Sequence, residues 1–558
     1  MGTLGFDMER GLFLGIDFGT TNCVVSLFNF AEGEALTIPI DGGNIFPTAI
    51  QFEADPEDAH KLAKVYGVQA KEAAIIYPQS TVLSIKRMLG SEEAVRVVVD
   101  DKEYSFRPEE VATEILAYLK AKADEYVQEE LGIAGEFSGC VITVPANSTD
   151  KQKKMTKAAA VKAGFDEASV FLRLEPAAAA LSYAVNETQD KKVLVYDFGG
   201  GTFDACILEL NMAEAEPVIS ILSTYGDNHL GGNDIDKLVM DMVYDEFTKL
   251  TNGEIDLFDE EADDGVSKRQ KRVAIVRLMQ AANQAKERLS QAKTAKVVLA
   301  PFVQEPRIIN INMEITREDF AAHRRIHALG DTHEVFEKFR GKNLEELLDE
   351  TLVCVDRCLE AAGLKEGDID EVFLVGGSSS LISVGEKIFQ KFGKEPFRSK
   401  LSPALSISHG AAYYCNMIMM PTVRGPVVQE RTIHPLGLEI AGRRFMEIVG
   451  GGLDIPKDGL VVEAAELLTT NFDNVGSMAI VVYENTLPKK DAKLTTVNME
   501  GMKRLAGTSL RGIPQKPRGE EKVKVVFSVG QDNMLRVTAK SMSDSGAVTE
   551  LAVDELYG

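Results

Sequence analysis

One short phrase occurs twice in this chain and constrains its fold more than any other feature. Leu-Gly-Ile-Asp-Phe-Gly-Thr-Thr-Asn at residues 14–22 returns as Leu-Val-Tyr-Asp-Phe-Gly-Gly-Gly-Thr at residues 194–202. In both copies an apolar run ends in Asp-Phe-Gly, a turn rich in Gly and Thr follows, and a second apolar run begins (23–27 and 205–208). This pattern predicts two β-hairpins, each with a carboxylate and a Gly/Thr turn at its tip.

The residue types at these tips suit a phosphate site. Glycine carries no Cβ, so the backbone N–H groups of a glycine-rich turn can approach an anion closely. A carboxylate beside such a turn suits Mg²⁺, which keeps most of its water ligands and needs only one or two protein oxygens nearby. Two facing tips would therefore hold a nucleoside triphosphate between two similar half-domains.

Size, charge and cysteine usage exclude several classes of protein. A chain of 558 residues is too long for one hydrophobic core, so we expect two or more domains. A formal net charge of -25 argues against a nucleic-acid partner. The sequence has no apolar stretch long enough to span a membrane, no signal-peptide core and no Cys-x-x-Cys pair among its 6 cysteines. We therefore expect a reduced, cytoplasmic protein with neither a membrane partner nor a cysteine metal site.

The pattern of elements divides the chain into two domains. Residues 11–420 alternate strand-like runs with helical patterns, such as those at 149–163 and 273–291, and predict an α/β domain. Residues 421–431 are polar, contain Pro and Gly, and are typical of a linker. Strand-like runs joined by turns dominate residues 432–558, which predicts a small β domain.

Five segments of the chain closely resemble the DnaK-type heat-shock chaperones. They lie at residues 15–22, 197–204, 226–232, 372–378 and 436–439, in the family's order. The resemblance implies an α/β actin-like ATPase domain with duplicated ribonuclease-H-like halves. It further implies a following β-sandwich that binds extended peptides, here without the family's helical lid. ATP and ADP would be the nucleotides, with Mg²⁺ and K⁺ as further cofactors.

The resemblance also implies roles for residues that match the family's motifs. Asp17 and Asp197 would orient hydrated Mg²⁺ through water. Lys86 would lie near the γ-phosphate, and Glu175 and Asp204 would help to position the attacking water. Taken alone, Lys86 could be a surface lysine and Glu175 a helix-capping acid. The other predicted nucleotide contacts are Gly19, Thr20, Thr21, Gly199, Gly200, Gly201, Thr202, Gly231, Gly232, Lys286, Ser290, Gly376, Gly377 and Ser378.

The sequence departs from the family where the adenosine would lie. Lys286 and Ser290 match the family's ribose and adenine contacts and are kept. Glu287 and Ser380, however, stand where the family has arginines that stack on the base. Because a guanidinium contributes stacking and cation–π attraction, we expect weaker nucleotide binding than is usual in the family.

Residues that would couple the two domains differ as well. Pro145 matches the family's interdomain proline switch, but Lys153 stands at the position of its partner arginine. The 421–431 linker lacks the family's run of leucines ending in Asp, and Phe171 replaces an arginine that contacts J-domain proteins. We therefore expect altered coupling. Residues 323–343 look like an insertion relative to the family pattern.

Five apolar residues of the β domain match the family's peptide groove, namely Leu438, Ile440, Leu468, Met478 and Ile480. Extended peptides bind such grooves through backbone hydrogen bonds and one or two apolar pockets. From spacing alone the same residues could be ordinary sandwich core. Without a lid, peptide exchange is expected to be fast.

Together these observations predict an ATP-dependent chaperone that couples hydrolysis to binding of extended, unfolded polypeptides. A J-domain co-chaperone and a nucleotide exchange factor would be its further partners. The alternative is a specialised ATP-driven switch that acts on one dedicated protein partner. A sugar or metabolite kinase of the same superfamily is disfavoured, because the second domain is predicted to be a β-sandwich and no acceptor site is apparent.

Overall fold

The structure is a computed structural model that describes most of the chain. The described residues are 12–58, 61–146, 148–185, 187–213, 217–227, 229–397, 402–419, 427–429, 431–432, 434–456, 459–485, 496–499, 501–530, 535–543 and 546–552. The helices are α1 (Gly67–Ala73), α2 (Pro108–Glu129), α3 (Asp150–Lys162), α4 (Glu175–Ala184), α5 (Gly232–Thr251), α6 (Lys268–Leu289), α7 (Arg317–Ala322), α8 (His333–Phe339), α9 (Leu344–Ala362), α10 (Ile382–Phe392) and α11 (Ser406–Met419). Short 3₁₀ helices lie at Ile85–Met88, Glu167–Ser169, Glu366–Asp368, Gly377–Ser380 and Pro403–Leu405.

The strands are given in chain order. They are β1 (Leu12–Phe18), β2 (Asn22–Asn29), β3 (Glu34–Ile38), β4 (Phe46–Pro47), β5 (Ala49–Ala54), β6 (Leu62–Tyr66), β7 (Thr81–Leu83), β8 (Val95–Val99), β9 (Lys102–Phe106), β10 (Phe137–Val144), β11 (Val170–Leu174), β12 (Lys191–Phe198), β13 (Phe203–Asn211), β14 (Val218–Asp227), β15 (Thr294–Val303), β16 (Ile309–Thr316), β17 (Glu371–Val375), β18 (Val427–Gln429), β19 (Leu436–Ile440), β20 (Arg444–Val449), β21 (Leu460–Glu463), β22 (Leu468–Thr469), β23 (Ser477–Asn485), β24 (Met502–Arg511), β25 (Lys522–Val529), β26 (Leu535–Ser541) and β27 (Val548–Ala552).

Two sheets built on one plan carry the repeated phrase. Sheet I has the order β11-β10-β1-β2-β3 with β4 beside β2, and sheet II has the order β17-β12-β13-β14-β18. Each contains an antiparallel meander of three consecutive strands, and the first strand of the meander has a parallel neighbour on its other side. The prediction of two hairpins is therefore confirmed, and both belong to mixed sheets of similar topology.

Helices α4 and α11 lie in a core to which both sheets contribute. Helix α11 packs on β1 and β2 and against α4. The two helices approach closely, because a Cβ on Gly410 would lie 1.8 Å from the backbone oxygen of Ala178. Ala178 is buried in the same hydrophobic cluster as Val25 of sheet I and Val195 of sheet II. This packing fixes α4, whose first residue, Glu175, faces the cleft described below.

The predicted linker contains a strand that the sequence did not predict. Of its residues 421–431, those at 421–426 and 430 lie outside the described part of the chain. Residues 427–429 form β18, which pairs in parallel with β14 at the edge of sheet II. Val428 is 8% exposed and belongs to the core shared by the two sheets. Parallel pairing uses backbone groups, which explains why a sequence without the expected leucines can still form it.

The residues after 432 form two further antiparallel sheets. One has the order β20-β19-β23-β24, and the other has the order β21-β25-β26-β27 with β22 beside β25. Leu438 and Ile480 from the first sheet share one hydrophobic core with Phe527 and Val537 from the second. The predicted mostly β composition of this region is therefore confirmed.

The two helices singled out in the sequence are present. The pattern at 149–163 corresponds to α3, whose first turn is capped by the Thr149 hydroxyl accepting from Gln152 N at 3.1 Å. The pattern at 273–291 corresponds to α6, which begins earlier, at Lys268, because Ser267 caps it by accepting from Gln270 N at 3.3 Å. None of the helices in the described ranges has the length and apolarity needed to cross a membrane.

Candidate active site

The tips of the two predicted hairpins face one cleft of about 450 Å³. Most of the predicted nucleotide contacts line it, and the exceptions are Asp204, Gly231 and Gly232. The predicted residues along its wall are Asp17, Gly19, Thr20, Thr21, Lys86, Glu175, Asp197, Gly199, Gly200, Gly201, Thr202, Lys286, Ser290, Gly376, Gly377 and Ser378. Residues far apart in sequence are thus brought together around one cleft.

The two tips lie in direct contact, and glycine is required where they meet. A Cβ on Gly200 would lie 2.2 Å from Thr21 Oγ1, and one on Gly201 would lie 3.1 Å from Thr20 Cγ2. The first tip is held by Thr48, which lies between β4 and β5 and whose hydroxyl donates to the Gly19 carbonyl at 2.9 Å. A larger residue at position 200 would displace the Thr21 side chain or push the tips apart, so the glycine run here has a steric cause.

The second tip, which we call the phosphate loop (residues 199–202), is held from behind by several donors. Gly232 N donates to the Gly199 carbonyl at 3.0 Å, and Asn233 N donates to the Gly200 carbonyl at 2.8 Å. The Ser378 hydroxyl also donates to the Gly199 carbonyl, at 2.8 Å. Gly232 therefore supports the loop through its N–H, and neither Gly231 nor Gly232 is among the described residues that line the cleft.

A buried ion pair contributes to the lining of the cleft. Lys86 Nζ donates to Glu175 Oε1 at 2.6 Å, and their side chains are only 12% and 9% exposed. Lys86 comes from the 3₁₀ helix after β7, whereas Glu175 begins α4 directly after β11. Asp17, at the end of β1, accepts a hydrogen bond from Thr143 Oγ1 at 3.4 Å. The surface-lysine interpretation of Lys86 is therefore wrong.

Carboxylates outnumber ammonium groups around this ion pair. Burial and the charge of Glu175 raise the pKa of Asp17 to about 7. The same two causes raise the pKa of Asp204 to about 8. Burial, Glu175 and Asp204 raise the pKa of Asp197 well above its ordinary value. Burial lowers the pKa of Lys86, but the charges of Glu175 and Asp17 outweigh it and leave the pKa above its usual value.

The donor set fits a hydrated divalent cation. A divalent cation would offset the excess of carboxylates over one ammonium group. Asp204 Oδ1 and Thr21 Oγ1 are buried and have no hydrogen-bond partner among the described residues. The described residues contain no group of three or more His, Cys, Asp or Glu side chains arranged to hold a metal ion directly. Water and phosphate oxygens would therefore have to complete the shell, which is how Mg²⁺ is commonly bound.

The part of the cleft lined by α6, which we call the far end, carries polar side chains that bond to protein groups. Lys286 pairs with Asp236 at 2.8 Å and donates to the Gly232 carbonyl at 3.2 Å. Asn283 donates to the same Asp236 at 3.1 Å, and the Ser290 hydroxyl donates to the Lys286 carbonyl at 3.1 Å. Glu287 also lines the cleft here.

Among the described residues that line the cleft, none is an arginine or an aromatic residue, so none of them would stack on a base. Ser380 and Ala404 are among the residues that line it. The absence of a guanidinium from the described cleft wall agrees with the sequence comparison on which the expectation of weak nucleotide binding rests.

Sequence reasoning missed three supporting residues. Arg87 Nη2 donates to the Gly201 carbonyl at 3.3 Å, and Asn233 and Asp236 hold the phosphate loop and Lys286, respectively. Arg87 directly follows the predicted site residue Lys86, so its position was a usable signal. Asn233 and Asp236 have no comparable signal, because their roles depend on how α5 lies against α6.

The remaining predicted residues lie outside the cleft. Pro145 follows β10 directly, and its carbonyl accepts from Ser148 N at 3.1 Å. Lys153 is buried in α3, at 1% exposure. Among the predicted groove residues, Leu438 and Ile480 are each 1% exposed and lie in the core between the two sheets. The others, Ile440, Leu468 and Met478, are half-buried.

Comparisons with known proteins agree with this geometry. The sequence model of the family described as Hsp70 protein matches residues 13–556. The curated relatives include the Chaperone protein DnaK of Thermotoga petrophila, Thermotoga sp. strain RQ2 and Thermotoga maritima. Each is 32% identical to this chain over 541 residues, which is 96% of this chain and 79% of the relative. The chain therefore belongs to the Hsp70 family of ATP-dependent, ATP-hydrolysing chaperones.

Proposed function

We propose that the cleft between the two hairpin tips is where ATP is hydrolysed, and that Lys86 and Glu175 are central to the reaction. The observation that carries this proposal is their buried ion pair at 2.6 Å, beside the phosphate loop and near Asp17. A surface ion pair would contribute little, whereas a buried pair in the cleft that both tips line supports a role in acting on phosphate oxygens.

Each group has a separate task in this proposal. The Lys86 ammonium would lie beside the transferred phosphoryl group, where negative charge is spread over three oxygens. Glu175, oriented by Lys86, would accept a hydrogen bond from the attacking water and align it with the γ-phosphorus. Asp204 does not line the cleft but lies near enough for the charge of Glu175 to affect its pKa, and it would help to hold this alignment. The water oxygen then bonds to phosphorus as the bond to the β–γ bridging oxygen breaks, and the released proton passes to a carboxylate or phosphate oxygen.

The two tips and the aspartates at their bases would hold the nucleotide and its cation. Backbone groups at 19–21 and 199–202 would orient the phosphates from opposite sides. Asp17 and Asp197 would hold Mg²⁺ through water. When bound, Mg²⁺ neutralises phosphate charge and fixes the orientation of the phosphates. A K⁺ ion stays a prediction from the resemblance.

We propose the domain limits 11–420 and 432–558, joined by the linker 421–431. The second domain would be a β-sandwich, since its two sheets enclose one core. Extended polypeptides would bind beside Ile440, Leu468 and Met478, whose side chains are half-buried. Leu438 and Ile480 would support the groove from the core rather than line it in this conformation.

Strand β18 offers a route for coupling the two domains. It joins the linker to sheet II through the backbone of β14, and Val428 packs into the core that contains α4. Because α4 begins with Glu175, a change in the cleft could alter the docking of the linker and, through it, the β domain. Co-chaperones act on the family generally. A J-domain protein, an exchange factor and a cytoplasmic location stay predictions for this chain.

The test is single-turnover hydrolysis of ATP with Mg²⁺, with and without an extended apolar peptide. We expect Lys86→Ala to abolish hydrolysis, and Val428→Asp to retain it but lose acceleration by peptide, because a charge cannot stay in the shared core. Hydrolysis that survives Lys86→Ala would contradict the assignment of the site. Peptide-independent hydrolysis in the unaltered chain would instead favour the alternative of one dedicated partner, which no described contact supports.

A further inference from the structure

The insert segment, residues 323–343, folds around one buried arginine. Arg325 is 1% exposed, and its guanidinium donates to the carbonyls of His327 at 3.1 Å and Ala328 at 2.6 Å. It also pairs with Asp331 at 2.6 Å. The Gly341 N–H returns to the Arg325 carbonyl at 2.8 Å and closes the segment at its other end. Such a network gives the segment a defined shape rather than that of a loose loop.

The insert segment is anchored on α5. Asp241 of α5 is fully buried and accepts hydrogen bonds from Ile326 N at 3.1 Å and His327 N at 2.6 Å. Its carboxylate also lies 2.8 Å from His323 Nε2. Helix α5 begins at Gly232, whose N–H bonds to the phosphate loop. The insert segment is therefore anchored on the same helix that supports the loop.

Two ion pairs extend from the insert segment to the two sides of residues 226–232. On one side, Lys338 of α8 pairs with Asp227, whose carboxylate accepts from His229 N at 2.9 Å. On the other side, Asp331 pairs with Lys237, which lies 4.0 Å from Asp234. The Asp234 carboxylate accepts from Gly231 N at 2.9 Å. These pairs are largely or partly buried, with side-chain exposures from 5% to 32%.

Both routes end on the same short segment, and that segment supports the phosphate loop. Gly232 N and Asn233 N bond to the carbonyls of Gly199 and Gly200 at 3.0 and 2.8 Å. We propose that the insert segment is a brace that fixes the phosphate loop from behind, with Lys338 and Asp331 as positioning residues. The role in ATP turnover rests on the proposed function, whereas the mechanical link to the loop does not.

The experiment measures hydrogen exchange and single-turnover hydrolysis on the same full-length variants. We expect Lys338→Met to increase amide exchange at 199–202 and 226–232 by about threefold or more, since a partly buried ion pair is lost. We also expect about a fivefold rise in the ATP concentration for half-maximal rate. Lys338→Arg should restore both values. The control is Lys342→Met. Lys342 also lies in the insert segment but pairs with Glu350 of α9, so this variant should alter neither value.

Each outcome decides between the two proposals. Unchanged exchange at 199–202 in Lys338→Met overturns the brace. An equal change in Lys342→Met also overturns it, because the effect would then be general loosening. Faster exchange without a change in the ATP dependence removes the positioning role in catalysis. If the unaltered protein shows no Lys86-dependent hydrolysis, the proposed function fails, while the exchange result still tests the brace.

Discussion

The two ends of the cleft differ in what they offer a ligand. Beside the phosphate loop, Lys86 pairs with Glu175, and the Ser378 hydroxyl holds the loop by donating to the Gly199 carbonyl. At the far end, Lys286 pairs with Asp236, and none of the described residues that line the cleft is an arginine or an aromatic residue. We expect such a cleft to bind the phosphates of a nucleotide through charge and geometry and to contribute little recognition of the base.

Of the changes that test this difference between the two ends, the substitution of Lys86 is expected to have the largest effect. Replacing it by Met should lower the single-turnover rate by about 100-fold or more, because the charge beside the transferred phosphoryl group is lost. Glu175 would also lose the partner that orients it. Lys122→Met, which removes an exposed pair with Glu125, is the matched control and should leave the rate unchanged. A Lys86→Met protein with near-normal turnover would show that the phosphate end is not the catalytic end.

A smaller effect is expected from Gly200→Ala. The added Cβ would lie 2.2 Å from Thr21 Oγ1, so the Thr21 side chain or the tips must shift. We expect affinity for ATP, measured by calorimetry, to fall by about tenfold. Gly367→Ala is the control, because a Cβ there meets nothing within 4 Å. Adding Thr21→Ala to the Gly200→Ala protein should recover part of the loss, and no recovery would argue against a steric cause.

The smallest effect, and one of opposite sign, is expected at the far end. Glu287→Arg would place a guanidinium on the cleft wall and should tighten ATP binding by about three- to tenfold. Glu287→Gln separates removal of the negative charge from stacking and should produce a smaller gain. If both variants bind ATP as the unaltered chain does, the residue at position 287 does not limit nucleotide affinity, and the far end is not the cause of weak binding.

The repeated phrase was sufficient to predict the two hairpins, because apolar runs and glycine turns act locally. Lys86 and Glu175 came from the family resemblance, which the phrase alone did not supply. The phrase could not predict β18, since that strand exists through backbone pairing with β14 and has no side-chain signature. Nor could it place the Gly232 N–H against the Gly199 carbonyl. That placement depends on the direction of α5, which is set by long-range packing.

Burial of the cysteines has a practical consequence. All six, Cys23, Cys140, Cys206, Cys354, Cys358 and Cys415, are buried and reduced. Burial raises the pKa of the Cys23 and Cys358 thiols to about 12, so little thiolate forms near neutral pH. Maleimide dyes should therefore react very slowly with the native thiols in the folded state. A pair of introduced surface cysteines, one on each domain, could report distance changes by fluorescence without a cysteine-free background.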